Sequence, residues 1–311
     1  MHNNAVVTFA IGKIYQKYAL GLADSFLLYN SLNEISFFII TDKSIQLDTN
    51  LNPRINVIVT DCALYGEDVL LNKFRVKQYV RADNILLIDS DSFICADLNP
   101  VFQLHANADV VIWGTLLRKD EEWRGNSLRT LNIEKIDELY KINGGVYFFG
   151  NSASTESFFL LCDRLIINYE ANGFAKVYND YKDDEIIFST ASAISKIPIL
   201  LPDNNIKVET MYFSRRFINI FFGYARFYHN NFERWKTSNE EANNPMIICF
   251  DRGSVTDFDY TFSCSMLKLC KYGGGIRVMV SLLATFVLKI YYTLKYLKWN
   301  MANIKKAYQK L

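Results

Sequence analysis

The stretch Asn84–Pro100, NILLIDSDSFICADLNP, constrains the rest of the chain more than any other. Four apolar residues, Ile85 to Ile88, run directly into Asp89, Ser90 and Asp91. An apolar run of this length, bounded by polar residues, reads as a strand buried on both faces, as in a parallel sheet covered by helices. Ionised carboxylates at the end of such a strand are costly unless they are paired or coordinated to a metal. The fold must therefore deliver these acids to a place where something compensates them.

The flanking pattern agrees. Ala5–Ile11, Ile35–Asp42 and Ile55–Asp61 read as further strands, the last two also ending in an acid. Ile14, Tyr18, Leu22, Phe26 and Tyr29 recur near helical spacing, and Val69–Val80 reads as a helix. Strands alternating with helices predict a right-handed parallel sheet. Ligands of open α/β sheets sit at the carboxyl ends of the strands, where Asp42, Asp61, Asp89 and Asp91 would gather. Later strands are expected at Asp109–Thr115, Asn143–Gly150 and Met246–Phe250. One helix should follow a Ser152 or Ser154 cap, and another should start near Asp183. The polar loop Leu117–Arg129, which carries Trp123, reads as a solvated loop, with closure over a ligand as the second reading.

Half of the 311 residues are apolar, enough for a sizeable core. The six cysteines form no C-x-x-C pair, so neither a zinc ribbon nor a redox motif is indicated, and reduced thiols are expected. The opening MHNNAVVTFAIGKIY has no basic segment followed by a long apolar one, and reads as a strand rather than a signal peptide.

Two carboxylates spaced i, i+2 across a turn can converge on Mg²⁺ or Mn²⁺ and leave positions open for phosphate oxygens. A metal so held neutralises charge growing on a departing diphosphate. The segment NKFRVKQYVRADNILLIDSDSFICADLNPVFQL resembles the core of a GT-A glycosyltransferase, closest to family eight with its glycogenin-like and lipopolysaccharide galactosyl- and glucosyltransferases. AVVTFAIGKIYQKYALGLADSFLLYN, INGGVYFFGNS and KDDEIIFSTA resemble three further family segments, in the expected order over roughly residues 4–255.

That resemblance implies a Rossmann-like α/β fold with a mainly parallel central sheet. It implies a GT-A catalytic domain over 1–262, a metal cofactor (Mn²⁺ or Mg²⁺), a UDP-sugar-type donor and a glycan acceptor of bacterial lipopolysaccharide or capsule. Asp89 and Asp91, with Ser90 between them, would hold metal and diphosphate. Thr8, Ala10 and Tyr15 would line the nucleotide pocket with Asp42, and Lys73 or Arg75 would reach the phosphates. Asn143, Gly144 and Gly145 would shape the sugar and acceptor floor. Asp183 or Asp184 would bind acceptor hydroxyls, with Asp184 the catalytic carboxylate beside Asp91; either acid could equally cap the following helix. The family's third metal ligand is a histidine in a late strand, but here the matching strand reads MIICFDRG, with Cys249 in that place. A thiolate suits a hard cation poorly, which leaves His229, Asp251 or water.

Two other readings compete. LLIDSDSFI also resembles the aspartyl-phosphate motif of haloacid-dehalogenase-type phosphatases, although about 88 residues precede it here. A non-catalytic, membrane-tethered sugar-nucleotide binder is the third.

Residues 263–311 form a separate feature. No acid follows Asp259, whereas nine Lys and Arg do; the net charge is +1, so the preceding residues carry −8. On a helical wheel Met279, Leu282, Leu283, Phe286, Ile290, Leu294, Leu297, Met301, Ile304 and Tyr308 share one face, and Arg277, Lys295, Lys298, Lys305, Lys306 and Lys310 the opposite one. The longest uncharged stretch, Val278–Leu288, is shorter than the ~20 residues a spanning helix needs. A basic amphipathic helix of this kind lies in the interface of an anionic membrane. Peripheral attachment to the cytoplasmic face of the cell membrane through 276–310 is therefore expected, with a helix docked on the protein's own body or on a partner, its lysines in water, as the alternative, and no nucleic-acid partner.

Overall fold

The computed structural model describes residues 2–43, 54–133, 136–178, 180–213, 215–228, 242–250, 254–270 and 274–308. The chain runs β1 (His2–Ala10), α1 (Lys13–Asn30), β2 (Ser36–Thr41), β3 (Ile55–Val59), α2 (Val76–Tyr79), β4 (Ala82–Ile88), β5 (Ser92–Ile94) and α3 (Asn99–Leu104). There follow β6 (Val110–Leu117), β7 (Leu139–Gly150), α4 (Ala153–Ile167), α5 (Asp184–Ser195), β8 (Lys207–Glu209), β9 (Arg215–Asn219), β10 (Tyr224–Tyr228), β11 (Ala242–Asn243), β12 (Ile247–Cys249), α6 (Phe258–Cys270) and α7 (Gly274–Tyr308).

Six strands form the central sheet in the order β3-β2-β1-β4-β7-β6. The pairs β1–β2, β2–β3 and β1–β4 are parallel, while β7 runs antiparallel to both β4 and β6. The sheet is thus mainly parallel, as expected. The one reversal lies where no helix separates two consecutive strands, because β6 returns into β7 through a loop. Ile85 to Ile88 are buried, so β4 is the two-faced central strand that its sequence describes. One sheet face packs Val6, Ala10, Leu86 and Ile88 against Ala19, Leu22 and Phe26 of α1. The other packs Val7, Ile85 and Leu87 against Phe158 of α4 and Ile187 and Phe188 of α5.

The predicted helix Val69–Val80 is instead a 3-10 segment, Gly66–Arg75, followed by the single turn of α2. The Asn72 carboxamide accounts for this: it accepts from the Leu64 N–H and donates to the carbonyls of Leu64 and Val69, tying the segment to the loop before it. With three residues per turn, Leu70 and Lys73 share a line that faces the sheet ends. Ser152 caps α4, its hydroxyl accepting from the Thr155 N–H at 3.1 Å, and Asp183 caps α5 through the Glu185 N–H at 3.1 Å.

The short strands β5, β12 and β8 form a second sheet, in which Cys249 pairs with Ser92 on one side and Glu209 on the other. A third cluster joins this sheet to β9, β10, α6 and α7. Helix α6 crosses the boundary expected at residue 262. Helix α7 docks through Val280, Ala284, Leu288 and Tyr292, a stripe with period four. Polar contacts reinforce it: Tyr292 Oη donates to Asp259 at 2.8 Å, Asn219 Nδ2 donates to Thr285 Oγ1 at 2.9 Å, and Arg277 donates to the Leu28 carbonyl at 2.6 Å. The predicted apolar face of α7 lies outside: Met279, Leu282, Leu283, Phe286, Ile290, Leu294 and Leu297 are all exposed. By length and composition alone, Ile276–Lys298 is also the one segment among the described residues that is apolar enough to cross a membrane. Its packed stripe and bonded polar groups describe a helix laid along the protein.

Candidate active site

A cavity of about 210 Å³ opens at the carboxyl ends of β1 and β4. Its walls include Tyr15, Lys73, Asp89, Ser90, Asp91, Gly145, Asp184, Glu185, Glu209 and Cys249. The aspartate pair belongs here because β4 ends at Ile88 and the chain turns through Ser90 into β5. The Asp89 N–H donates to the Gly145 carbonyl at 2.9 Å, and the Asp91 carbonyl accepts from the Phe250 N–H at 3.0 Å. The turn is therefore clamped between β7 and the end of β12.

Lys73 is the buried counter-charge. Its Nζ lies 2.8 Å from Asp89 Oδ1 and 2.9 Å from Asp184 Oδ2, and donates to the Gly144 carbonyl at 3.0 Å. Burial would lower its pKa, but Asp184 and Asp89 outweigh that and raise it. Burial raises the Asp89 carboxyl, Lys73 opposes this, and Asp184 adds to it. Asp91 is pushed well above the ordinary carboxylate range by burial, then by Asp89, then by Glu209. Carboxylates that repel one another in this way fit a divalent cation, which would be held by Asp89 and Asp91. Cys249 does not fit a hard cation of this kind, since its sulfur is a soft donor; burial followed by Glu209 pushes its thiol well up. Among the described residues, no three His, Cys, Asp or Glu side chains group as a metal site. His229 and Asp251 lie outside the described residues.

The glycines have positional reasons. A Cβ on Gly144 would stand 2.7 Å from Glu185 Oε1, and one on Gly145 would stand 2.7 Å from Glu209 Oε1 and 2.9 Å from Cys249 Sγ. The neighbouring Asn143 is part of β7, and its side chain is outside the described ones. The Gly144 N–H donates to Glu185 Oε1 at 2.8 Å. Glu185 is raised to about 8, chiefly by burial, although Arg124 pulls it down. Asp183 is raised to about 6, again by burial against Arg124.

Several expected residues stand apart from the cavity. Thr8 and Ala10 share the strand face that packs toward α1, while Phe9 and Ile11 line the cavity; alternation along β1 makes this a one-residue difference. Arg75 donates instead to the Cys62 carbonyl. Asp42 pins the β1–α1 loop, accepting from the Gly12 N–H at 3.1 Å and from Tyr65 Oη at 3.2 Å. These bonds hold its pKa low against the burial that would raise it. Asp183 is buried as a helix cap, whereas Asp184 reaches the cavity.

Arg124, Glu185, Glu209 and Tyr178 line the cavity without having been singled out in the sequence. Glu185 was within reach, as the third acid of D-D-E at a helix start. Glu209 sits on a three-residue strand that gives no periodic signal.

By sequence, no protein-family model and no curated protein matches the chain. Solved structures do match by fold. An active-site mutant of LgtC is 14% identical with a TM-score of 0.52, covering 85% of this chain and 95% of that one. The galactosyltransferase LgtC in complex with donor and acceptor sugar analogues is 12% identical, also at 0.52, covering 85% and 94%. The chain therefore has the GT-A glycosyltransferase fold, with its D-S-D turn at the end of the fourth strand.

Proposed function

We propose that the protein is a metal-dependent glycosyltransferase that moves a hexosyl group from a nucleotide-sugar of the uridine class to a glycan acceptor. The observation that carries this reading is the convergence of Asp89, Asp91, Lys73 and Asp184 on one cavity at the strand ends. The fold it shares with a galactosyltransferase solved with donor and acceptor analogues supports it. Mn²⁺ or Mg²⁺, when bound by Asp89 and Asp91, would supply charge neutralisation at the diphosphate.

The chain's own groups account for the remaining chemistry. Tyr15 offers a ring to the nucleotide at the cavity wall. Lys73 brings fixed positive charge beside the phosphates and orients Asp89 and Asp184. The acceptor hydroxyl attacks the anomeric carbon as the bond to the diphosphate breaks. Its proton passes to Asp184 in an inverting reaction, or to the leaving phosphate in a retaining one. The exposed apolar face of α7 and the lysines beyond it support peripheral attachment to an anionic membrane. That attachment fits work on a lipid-linked glycan, such as lipopolysaccharide or capsule, at the cytoplasmic face.

Thermal melting with Mn²⁺, crossed with UDP, GDP, CDP and CMP and repeated on Asp91→Ala, tests the reading. A rise that needs both metal and one nucleotide, and vanishes in the variant, is expected. Indifference to nucleotide, or to Asp91, would overturn it.

A further inference from the structure

The loop between β6 and β7 reads in sequence as solvated, yet one of its residues enters the cavity. Arg124 has φ 54 and Gly125 φ 77, so both central residues of a tight turn are left-handed, a conformation that arginine seldom adopts. The turn is locked. Trp123 and Asn126 exchange backbone hydrogen bonds at 2.8 and 2.9 Å. Asn126, fully buried, donates to the Arg124 carbonyl at 3.0 Å and accepts from the Ala175 N–H at 2.9 Å. A Cβ on Gly125 would stand 2.9 Å from that of Ala175, so the turn seats against this neighbour. Backbone strain held by so many contacts points to a use for the side chain it presents.

The guanidinium forks across two acids, at 3.3 Å from Asp183 Oδ1 and 3.0 Å from Glu185 Oε2, with the Trp123 ring at 5.3 Å. Glu185 accepts the Gly144 N–H, and the Gly144 carbonyl accepts from Lys73, which holds Asp89. Contacts therefore run without a break from the loop to the D-S-D turn, through one carboxyl group and the two peptide units that meet at the Gly144 Cα.

We propose that Arg124 is a positioning residue: by fixing the Glu185 carboxyl against the Gly144 amide, it sets the carbonyl that seats Lys73 beside Asp89. The role rests on orientation. A protonated and an ionised Glu185 each leave an oxygen for Gly144, and the fork decides where that oxygen points. In functional terms this deepens the transferase reading, since the seat it sets is that of the donor phosphates.

The test separates the two. Amide hydrogen exchange of the peptide around Gly144 is measured without ligand in wild type, Arg124→Gln, Glu185→Ala and the double variant. Exchange at Gly144 should rise about tenfold or more in each single variant, and no further in the double one, while β1 keeps its protection. Arg124→Lys should restore part of the protection, since it keeps the charge and loses the fork. Unchanged exchange at Gly144 in Arg124→Gln, additive effects in the double variant, or loss of protection spread through β1 would each overturn the proposal. Calorimetric titration of UDP with Mn²⁺ forms the second arm. Arg124→Gln should weaken binding about fivefold to tenfold, within the range of one ordinary hydrogen bond, and a wild-type constant in that variant would overturn the link to Asp89. If the wild type binds no nucleotide, the transferase reading falls, and the exchange measurement still decides the positioning of Gly144.

Discussion

Replacing Lys73 by methionine keeps the length of the side chain and removes the cation that Asp89 and Asp184 share. Asp184 is 4% exposed, and it also accepts from the Tyr147 hydroxyl at a long 3.4 Å. Asp89 is 34% exposed, so water takes up part of its loss. Removing one partner from a buried pair costs about 3–5 kcal/mol. Discounting the exposed half leaves about 2–3 kcal/mol at pH 7.5, a fall in melting temperature of roughly 3–5 °C for a chain of this size. The pH dependence has a definite sign. Lys73 has a raised pKa, so its contribution is present throughout the range below about 10 and is lost only above it. Asp89 already sits above its ordinary value, and without Lys73 it rises further. An acid with a raised folded pKa favours the folded state at low pH and loses that advantage as pH rises. The deficit of the variant should therefore be large at pH 7.5 and shrink toward pH 5. Mn²⁺ should recover part of it at pH 7.5, because a divalent cation takes over as counter-charge to Asp89. Calorimetric melts at the two pH values decide the matter. A variant within 1 °C of wild type at pH 7.5, or one hurt more at pH 5, would show that solvent screens this cluster.

Other perturbations probe neighbouring parts of the site. Glu185, raised to about 8, makes the fold lose stability as pH climbs from about 5 to 8; at ~1.4 kcal/mol per unit the bound is roughly 5 kcal/mol, reduced by its coupling to Asp183 and Asp184. Glu185→Gln should flatten that slope and melt above wild type at pH 8, and an unchanged slope would contradict it. Gly145→Ala meets the movable ends of Glu209 and Cys249, whereas Gly150→Ala meets the Ala108 carbonyl at 2.3 Å. The first should cost about 1 kcal/mol and weaken nucleotide binding, and the second about 3 kcal/mol, mainly in stability; urea melts beside UDP titrations would separate them. Leu283→Ser with Phe286→Ser should release the chain from vesicles containing phosphatidylserine while leaving its melt within about 1 °C, because both side chains lie in solvent; co-sedimentation unaffected by the pair would rule out this face as the lipid contact.

What was legible in the sequence divides along physical lines. Buried strands announce themselves, because a parallel sheet covered on both sides demands apolar runs; β1, β2, β3 and β4 each lie close to their predicted places. The aspartates followed from the same argument, since charge at the end of an apolar run requires compensation, whereas Lys73 came from the resemblance to the family. Face assignment within a strand depends on parity alone, and Thr8 and Ala10 differ from Phe9 and Ile11 by a single position. Interactions that depend on tertiary closure leave no local trace. Glu209 reaches the cavity because a three-residue strand pairs with β12, far along the chain, and Arg124 enters because Asn126 and Ala175 lock a turn whose residues look like any solvated loop. The tail shows the same limit on a larger scale. Its hydrophobic face was readable from helical spacing, yet the stripe that docks it, with Tyr292 reaching Asp259, is a different one, chosen by complementarity to the surface beneath. The apolar face thus remains outside, so the proposed lipid contact would use the side of the helix opposite the one that docks.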